Sequence, residues 1–510
     1  MELLFSQKNR VSYLVFYSEP TPADQKTHYR TQDQRETMEK GDGMKRIFAG
    51  VITAFLCMVA IAQDADVSTR KGDQAVKASE TVQADTTKPG LALCFAPGTS
   101  DEVVQQAYAN AAEEDLGFFR LGTRWSTTSL NGGGLGLGDP TIITWSIVPD
   151  GTMIQGFAGE PAAPSNLTAW LNTVYPGGPS EWMPIFDAIF ANWSTFGGLT
   201  YVFEPSDDGA VFPDSPGQAG VRGDVRISAH FIDGNSNILA YNFFPDTGDM
   251  VIDSADNFYN NTSQNSLGMR NVLSHEHGHG MGFSHVCPVQ QTKLMEPFVS
   301  FAFDGPQHDD LLAVNRGYGD PNEHNDTFGD ATSIGELTEA GFVYDGTLSI
   351  DDTSDQDFYE FTISSQHLVT LNATPIGFEY LEGPQVGGNC TPGTLFNSED
   401  NIDLAIEILD SDGTTVLESA DNTGPAGSET ITEADLPAGT YFIRVFPAAG
   451  NEVQLYGFDL SLVEVAIPCL YFDLITAWNN PNGVSCLGAN LTIQDIIQAV
   501  IDGQVSWPSP

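Results

Sequence analysis

Four residues within one short stretch have the types and the spacing of a catalytic metal site. The stretch runs from His275 to His285 and reads His-Glu-His-Gly-His-Gly-Met-Gly-Phe-Ser-His. His275 and His279 are four residues apart, so on a helix they lie one turn apart on the same face. Gly282 accepts a positive φ without a Cβ clash, which allows the chain to turn after the helix and bring back His285. Three imidazoles that leave a fourth position open are typical of catalytic zinc.

Glu276 is predicted to act as the general base of this site. It follows His275 directly, so its carboxylate projects beside the ligands and reaches a water molecule at the metal. From there it would accept a proton from the water and pass it to the leaving amine of a peptide bond. His277, two residues from either helical ligand, is predicted to point elsewhere. The alternative interpretations are a chance His-rich surface helix and a decayed site that still binds metal.

The flanking segments predict an α+β domain around the motif. Residues 141–148 alternate and are rich in β-branched side chains, which indicates a strand. Apolar residues recur every three or four positions from Trp182 to Phe196 and predict a helix with one buried face. The motif itself lies on a long helix predicted over 266–280. Further strands are predicted at 199–203, 224–231 and 238–244.

The motif resembles the extended zinc signature of the metzincin peptidases, and Leu294-Met295-Glu296-Pro297 resembles their Met-turn. The most similar family is the matrixins, and the resemblance covers about residues 138–320. It implies a catalytic domain with a twisted, mostly parallel sheet, one antiparallel edge strand and an active-site helix. In such a domain Met295 would lie beneath the metal site as a hydrophobic floor.

The same resemblance implies a way of binding substrate. Leu239 and Ala240 would lie on the edge strand and bind an extended protein or peptide substrate by strand addition. The loop 297–306 would wall the specificity pocket on the leaving side. This loop is rich in aromatic and aliphatic residues, so an apolar residue is expected there.

The sequence departs from the vertebrate matrixins at a second, structural zinc site. Where that family has histidines in the edge strand and the next segment, this chain has Tyr241 and Val251. We therefore expect one zinc ion per chain rather than two. Calcium is the other expected metal, with Asp233, Asp249 and Asp253 as candidate ligands. A solvated acidic surface is the alternative for each of these three residues.

The chain is strongly acidic, which excludes one class of partner. Its 510 residues include 68 Asp and Glu against 20 Lys and Arg, a formal net charge of −48. Such a chain repels phosphate, so nucleic acid is not an expected partner. Carboxylate oxygens suit calcium instead. At ~100–200 residues per domain, the length predicts three or four folded units.

The N-terminal region predicts export. Met44-Lys45-Arg46 precedes an apolar run that ends in Ala60-Ile61-Ala62, the pattern of a signal peptide over 44–62. Residues 1–43 would then be a mis-called upstream extension, and 63–137 a propeptide or N-terminal linker. No later apolar run is long enough to span a bilayer, so no stable membrane anchor is expected. The mature protein is expected to be secreted.

The C-terminal half predicts a second, all-β domain. After a polar linker at 321–339, segments over 340–465 alternate with period two, as in a β-sandwich. Residues 355–359 (Asp-Gln-Asp-Phe-Tyr) and 436–441 (Leu-Pro-Ala-Gly-Thr-Tyr) resemble the pre-peptidase C-terminal domain of bacterial secreted peptidases. That resemblance suggests contact with matrix or a cell surface. A small Cys-containing tail occupies 466–510.

The five cysteines that follow the signal peptide are an odd number. Cys469 and Cys486 are close in sequence and form the first predicted disulfide. Cys94, upstream of the motif, matches poorly the Pro-Arg-Cys-Gly string by which matrixin propeptides present a Cys to the zinc. We expect Cys94 in a disulfide, with Cys287 as the candidate partner, rather than as a latency switch.

These observations favour a secreted zinc endopeptidase. The alternative is a catalytically weak or inactive zinc-binding module for adhesion or matrix contact. Glu276 distinguishes the two, because an inactive relative typically loses the base that this chain keeps.

Overall fold

The structure, a computed structural model, describes residues 90–108, 121–213, 215–344 and 346–465, with the backbone of 484–486 and 489–491. The predicted upstream extension, the signal peptide 44–62 and the proposed Cys469–Cys486 disulfide lie outside the described residues. Within the described ranges, none of the helices combines the length and the apolar character that crossing a membrane requires.

The first part of the described chain contains all five α-helices that the structure describes. Its elements, in chain order, are β1 (Leu91–Phe95), α1 (Asp101–Tyr108), β2 (Thr127–Thr128), β3 (Gly132–Gly133), β4 (Thr141–Ile147), β5 (Met153–Ile154), β6 (Ala163–Pro164), α2 (Leu167–Val174), α3 (Pro179–Phe196), β7 (Leu199–Phe203), β8 (Val225–His230), β9 (Ile238–Phe243), β10 (Met250–Asp253), a 3-10 turn (Asn257–Asn260), α4 (Ser263–Gly280), β11 (Val286–Cys287) and α5 (His308–Tyr318).

The second part is entirely strand and turn. Its elements are β12 (Thr332–Glu336), β13 (Phe342–Val343), β14 (Leu348–Ile350), β15 (Asp357–Ile363), β16 (His367–Ile376), β17 (Glu379–Val386), β18 (Asn389–Cys390), β19 (Thr394–Asn397), β20 (Asp403–Leu409), β21 (Val416–Ala420), β22 (Glu429–Leu436), β23 (Gly439–Ala449), β24 (Gln454–Glu464), β25 (Val484–Cys486) and β26 (Ala489–Leu491).

One six-stranded sheet organises the first part, in the order β1-β9-β10-β8-β4-β7. Strands β10, β8, β4 and β7 run parallel, and β9 is antiparallel to β10, as the sequence predicts. Strands β8, β9 and β10 are buried throughout, which is typical of a sheet covered by helices. The prediction that β9 forms the edge is wrong, because β1 pairs with it antiparallel. The residues of β1 belong to the segment predicted as propeptide or linker.

Helices α3 and α4 pack against each other and hold the core of this sheet domain. The predicted apolar face of α3 is confirmed, since its members from Trp182 to Trp193 are buried. Helix α4 is buried from Ser266 to Gly280 on almost every side, so the motif lies inside the domain rather than on a surface helix. This excludes the interpretation of the motif as a chance His-rich surface.

The second part is a sandwich of two sheets. One has the order β12-β15-β23-β20-β21, and the other has β13-β24-β16-β22, with β14 also paired to β24. Burial alternates along β16 residue by residue, which is the period-two pattern predicted from the sequence. Strand β12 lies within the predicted linker 321–339, so the sandwich begins earlier than its apolar alternation indicates.

Three strands of the C-terminal part leave the sandwich and join the sheet domain. Strand β17 pairs with β11, which directly follows His285, and also with β18 and β19. A disulfide between Cys287 and Cys390 fastens this contact, with an S–S distance of 2.01 Å. The expected Cys94–Cys287 disulfide is therefore wrong. The pairing of β11 with β17 brings Cys390 to Cys287, while Cys94 is held in β1 as a free, buried thiol.

Candidate active site

Three imidazole nitrogens meet at one point at the end of α4. His275 and His279 lie on the last turns of the helix, and His285 follows five residues after its end at Gly280. The three Nε2 atoms are 3.0, 3.1 and 3.2 Å from one another. Two nitrogens bound to a tetrahedral zinc ion at ~2.0–2.1 Å are about 3.3 Å apart, so this spacing fits that ion.

The other ring nitrogens are each anchored by an acceptor. His275 and His279 donate through Nδ1 to the backbone carbonyls of Leu294 and Phe283, at 2.7 and 2.6 Å. The third imidazole donates through Nδ1 to the side-chain oxygen of Gln385, at 2.7 Å. Since Nδ1 holds the hydrogen in each ring, each Nε2 presents a lone pair to the common point.

Burial keeps all three rings neutral. It lowers the pKa of His275 to about 4 and that of His285 to about 3, and it lowers the pKa of His279 well below the usual range. Three lone pairs that face one another at this distance repel unless a cation lies between them. The donor set therefore fits a divalent metal ion, and three nitrogen ligands with a free fourth position fit zinc.

The turn that returns His285 depends on Gly282. Its φ is 104°, which confirms the predicted left-handed turn. A Cβ at this position would lie 1.7 Å from the carbonyl oxygen of Thr123, so only glycine fits. Met295 lies against the helix at Gly278, where a Cβ would come within 2.4 Å of the Met295 sulfur. Met295 thus packs under the helical turn that carries the ligands, where the resemblance predicts it.

Glu276 is completely buried beside the first ligand. Its carboxylate oxygens form no hydrogen bond of normal geometry with the described residues. Burial raises its pKa well above the ordinary value, and the backbone N–H of Cys94 acts in the opposite sense. A desolvated carboxylate of raised pKa is a stronger base than an exposed one, which suits proton transfer near neutral pH.

His277 points away from the three ligands. Its Nε2 lies 2.6 Å from the hydroxyl of Tyr201 in β7, and its ring packs edge-on against Phe190 of α3. Burial lowers its pKa to about 3. The structure thus places His277 in the packing between helix and sheet, separate from the group formed by His275, His279 and His285.

A second buried cluster is formed by His230, Glu160 and Tyr241, one of the two residues that replace the expected histidines. Tyr241 donates its hydroxyl to Glu160 at 2.9 Å, and His230 Nε2 lies 3.3 Å from the same carboxylate oxygen. The backbone N–H groups of Phe157 and Ala158 also donate to this carboxylate. Burial acts to raise the pKa of Glu160, but these hydrogen bonds outweigh it and lower the pKa. The Glu160 carboxylate is thus held by hydrogen bonds from Tyr241, Phe157 and Ala158.

The three aspartates predicted as calcium ligands serve mainly as backbone acceptors. Asp253 accepts from the N–H groups of Asp233, Gly234 and Ala255, at 3.1, 2.7 and 2.8 Å. Asp249 accepts from the backbone N–H of Arg226 at 2.9 Å. In the described part of the chain, the groups of side chains that could hold a metal do not include Asp233, Asp249 and Asp253 together.

A different set of carboxylates gathers between the two parts of the chain. Oxygen atoms of Glu323, Asp355 and Asp357 lie within 4.8 Å of one another. Burial, together with the neighbouring carboxylates of Asp320 and Asp351, raises the pKa of Glu323 to about 8. We call these five residues the interdomain carboxylate cluster. It was not predicted, because its members come from three segments: the end of the catalytic domain, the linker and the start of the sandwich.

Strand β1 covers the side of β9 that was predicted to bind substrate. Ala240 pairs with Cys94, and Ile238 pairs with Phe95, so the shift of register skips Leu239. On its other side, Phe95 donates to the carbonyl of Pro297 and accepts from the N–H of Val299, both at 3.2 Å. An extended segment of the chain itself therefore lies between β9 and the residues after the Met-turn.

This segment brings Cys94 to the catalytic residues. Its sulfur lies within 4.8 Å of a ring nitrogen of His275 and a carboxylate oxygen of Glu276. Burial and the Glu276 carboxylate raise the pKa of the thiol. Tyr108 of α1 contacts the site from the same N-terminal region, with its hydroxyl 2.8 Å from Nδ1 of His285.

Two residues that contact the site were missed by the sequence reasoning, Gln385 and Tyr108. They lie 100 and 177 residues from His285 in sequence, and neither belongs to a motif. Pairing between distant segments brings each of them to the site: β17 with β11 for Gln385, and β1 with β9 for Tyr108. A single sequence carries no signal of these pairings.

Comparison with known families agrees with this geometry. The matrixin peptidase model matches residues 222–319, which include α4, the three histidines and the Met-turn. The chain carries a matrixin domain. A second model, the bacterial pre-peptidase C-terminal domain, matches residues 355–447 of the sandwich. The matrixin domain supports a metallopeptidase, and no curated protein matches the chain.

Several solved structures are similar to about a quarter of this chain. The pre-peptidase C-terminal domain of a Bacillus anthracis collagenase has 14% identity over 26% of this chain and 94% of its own, with a TM-score of 0.16. A carbohydrate-binding module of Cellvibrio mixtus lichenase 5A has 13% identity over 24% of this chain and 88% of its own, with a TM-score of 0.15. Scores this low identify no function for the aligned region.

Proposed function

We propose that this chain is a secreted zinc-dependent endopeptidase. His275, His279 and His285 hold the metal and Glu276 is the general base. The observation that carries the proposal is the convergence of three neutral Nε2 atoms at 3.0–3.2 Å beside a buried carboxylate. Zinc bound there supplies a Lewis acid that polarises the scissile carbonyl and lowers the pKa of water.

The Glu276 carboxylate performs the proton transfers. It accepts a proton from the attacking water and delivers it to the nitrogen of the leaving amine. Burial supports both steps, because it raises the pKa of Glu276 and keeps bulk water from competing for the proton. The Met295 floor and the acceptors at Leu294 and Phe283 hold the imidazoles in place during these steps.

The substrate class is an extended peptide with apolar residues. The groove between β9 and Pro297–Val299 already holds an extended segment, Leu91-Ala-Leu-Cys-Phe95, in the described structure. All five residues of that segment are buried, so the groove accepts apolar side chains along a strand. A substrate would bind in the same way, through backbone hydrogen bonds to β9.

Strand β1 blocks this groove, so the chain with β1 in place is a latent form. Activity requires that residues 91–96 leave the groove, by cleavage in the region that the sequence analysis assigned as propeptide or linker. Release would expose the free edge of β9 to substrate. This accounts for a catalytic site that is complete while its substrate groove is occupied.

The test is a cleavage assay with a peptide library on zinc-loaded protein, before and after limited proteolysis of the N-terminal region. We expect cleavage to rise after release of β1, to disappear on zinc removal, and to return on addition of zinc. A preference for an apolar residue on the leaving side is expected. If the released, zinc-loaded protein cleaves no peptide of the library, the alternative of an inactive zinc-binding adhesion module replaces the proposal.

Export and surface contact complete the proposal. The signal peptide pattern at 44–62 supports secretion, and the sandwich is the candidate surface for matrix or cell contact. Intact mass measurement of protein recovered outside the producing cell tests export. The expected product begins after Ala62.

A further inference from the structure

The three zinc ligands differ in how their outer nitrogens are held. His275 and His279 donate to backbone carbonyls that lie 19 and 4 residues away. The acceptor for His285 is a side chain, Gln385 Oε1, which lies 100 residues away at 2.7 Å. The acceptors for His275 and His279 belong to the matrixin domain. The acceptor for His285 belongs to β17, which follows the first strands of the sandwich in the chain.

The orientation of the Gln385 amide is determined by its own contacts. Its Nε2 donates to the carbonyl of Gly388 at 3.2 Å, within the β17–β18 hairpin. The amide oxygen must therefore face the imidazole, where it can only accept. Gln385 is buried, so no bulk water replaces it as the acceptor. Oε1 thus fixes the Nδ1–H tautomer and leaves the His285 Nε2 lone pair for the metal.

Two links hold the hairpin against the ligand. Val286 and Cys287 of β11 pair with Pro384 and Gly383 of β17, directly beside Gln385. On the opposite strand, Cys390 is the register partner of Gln385 and forms the disulfide to Cys287. The residues adjacent to the third ligand and to its anchor are therefore tied together both by backbone pairing and covalently.

The Tyr108 hydroxyl is the other group near this nitrogen, at 2.8 Å. It comes from the N-terminal region, and it also lies 3.5 Å from the carbonyl of Leu93, to which it can donate. Nδ1 of His285 has a single hydrogen to donate. The carboxamide oxygen of Gln385 can only accept, whereas the hydroxyl of Tyr108 must also donate its own hydrogen to another group. Gln385 is therefore the better acceptor, and it remains if β1 and α1 leave.

We propose that Gln385 is a positioning residue of the zinc site, so that the C-terminal domain completes the metal centre of the matrixin domain. The proposal rests on the proposed function only for the identity of the metal. Removal of an acceptor of this type typically weakens metal binding by about 10–100-fold. The hairpin of residues 379–390 is then part of the catalytic unit rather than of a detachable module.

The experiment measures zinc affinity of the full chain by competition with a chromophoric chelator. Gln385→Ala and Gln385→Met both remove the acceptor, and the second keeps the side-chain volume. We expect each to bind zinc about 10–100-fold more weakly. Gln385→Glu keeps an acceptor and should bind within a few-fold of the wild type. Gln366→Ala is the matched control, because Gln366 is a half-buried residue of the same domain whose side chain contacts Asp435 rather than the metal site.

Two results would overturn the proposal. Wild-type affinity in both Gln385→Ala and Gln385→Met would show that the anchor has no effect on the metal. If Tyr108→Phe binds zinc more weakly than the wild type while both Gln385 variants bind it normally, the acceptor for His285 Nδ1 is Tyr108. The rescue by Gln385→Glu separates positioning from a loss of folding, since a structural defect would not depend on the acceptor. Tight zinc binding without any peptide cleavage would refute the proposed function and leave this proposal standing.

Discussion

The sheet domain contains two buried clusters, one with three histidines and one with a single histidine beside a carboxylate. In the first, His275, His279 and His285 point three nitrogens at one another and offer no hydrogen between them. In the second, His230 faces Glu160, which also accepts the hydroxyl of Tyr241. The first cluster could hold a cation, whereas in the second the carboxylate already accepts hydrogen bonds from neighbouring groups.

The difference teaches how a metal site can be recognised without the metal. Buried polar groups are normally paired, so unpaired lone pairs that converge mark a place for an ion. In the second cluster Tyr241 supplies a hydrogen-bond donor, and the Glu160 carboxylate accepts it. The distances between polar atoms do not distinguish the two clusters. The presence or absence of a donated hydrogen between those atoms does.

The largest expected effect comes from replacing one glutamate in each cluster by glutamine, in two separate variants. Glu276→Gln should lower peptide hydrolysis by about 10²–10⁴-fold, because an amide cannot accept the proton of the attacking water. Zinc content should stay the same, since Glu276 is not a ligand. Glu160→Gln is the matched variant and should keep the rate within a few-fold. Rates on one library peptide, with zinc measured in the same samples, provide the check, and equal losses in both variants would contradict the assignment.

Zinc content should distinguish the histidines of the two clusters. His279→Ala removes one of three ligands and should abolish tight zinc binding, because two imidazoles hold the ion weakly. His230→Ala should leave about one zinc per chain, since Tyr241 and Glu160 offer no second nitrogen. Elemental analysis after mild dialysis measures both. A wild-type content of two zinc ions, with one lost in His230→Ala, would show that the second cluster is also a metal site.

The free energy of unfolding should depend on the second cluster, although zinc binding should not. Tyr241→Phe leaves the buried Glu160 carboxylate without one of its donors, which typically costs about 1–3 kcal/mol in the free energy of unfolding. Zinc affinity should not change. Urea unfolding of the zinc-loaded protein gives the free energy, and Tyr201→Phe, beside His277, is a comparison at a neighbouring buried hydroxyl. An unfolding free energy equal to that of the wild type would show that the network does not support the fold.

The interdomain carboxylate cluster predicts a smaller, pH-dependent effect. Burial raises the pKa of Asp320 to about 6, of Asp351 to about 7 and of Glu323 to about 8. The folded chain holds these protons more tightly than the unfolded chain, so stability falls as pH rises from about 4 towards 8. With a chelator present, the melting temperature should be several degrees lower at pH 8 than at pH 5.

Calcium should oppose this loss, because an ion that binds only the folded state stabilises it. Millimolar calcium should raise the melting temperature at pH 8 more than at pH 5. A double variant, Glu323→Gln with Asp355→Asn, should flatten the pH dependence and lose the response. A calcium response that survives in this variant would instead direct attention to Asp233, Asp249 and Asp253.

The parts of the site that sequence alone predicts are those set by local spacing. The four-residue interval of His275 and His279, the glycine at 282 and the Met-turn each act within about twenty residues. The mostly parallel sheet with an antiparallel β9, which the resemblance implies, is also observed. Burial of the apolar stripe of α3 is confirmed because a helical period translates directly into one face.

The remaining parts depend on pairings between distant segments. Strand β1 reaches β9 across about 145 residues, and β17 reaches β11 across about 100. No spacing rule predicts either, so the free edge of β9 and the Cys94–Cys287 disulfide were wrong for one reason. The free edge of β9 assumed that the N-terminal region stays apart from the groove, and the Cys94–Cys287 disulfide assumed that the C-terminal part stays apart from Cys287.

The pairing of β17 with β11 also sets the moment at which the site can be finished during synthesis. His285 leaves the ribosome 100 residues before Gln385. At about 5–20 residues per second, the nascent chain spends about 5–20 s with two anchored imidazoles and a third whose partner does not yet exist. A chain interrupted in this interval would contain every ligand and the base, yet hold its metal poorly. The order of translation thus delays completion of the proposed metal site until the first strands of the sandwich, β12 to β16, have been synthesised.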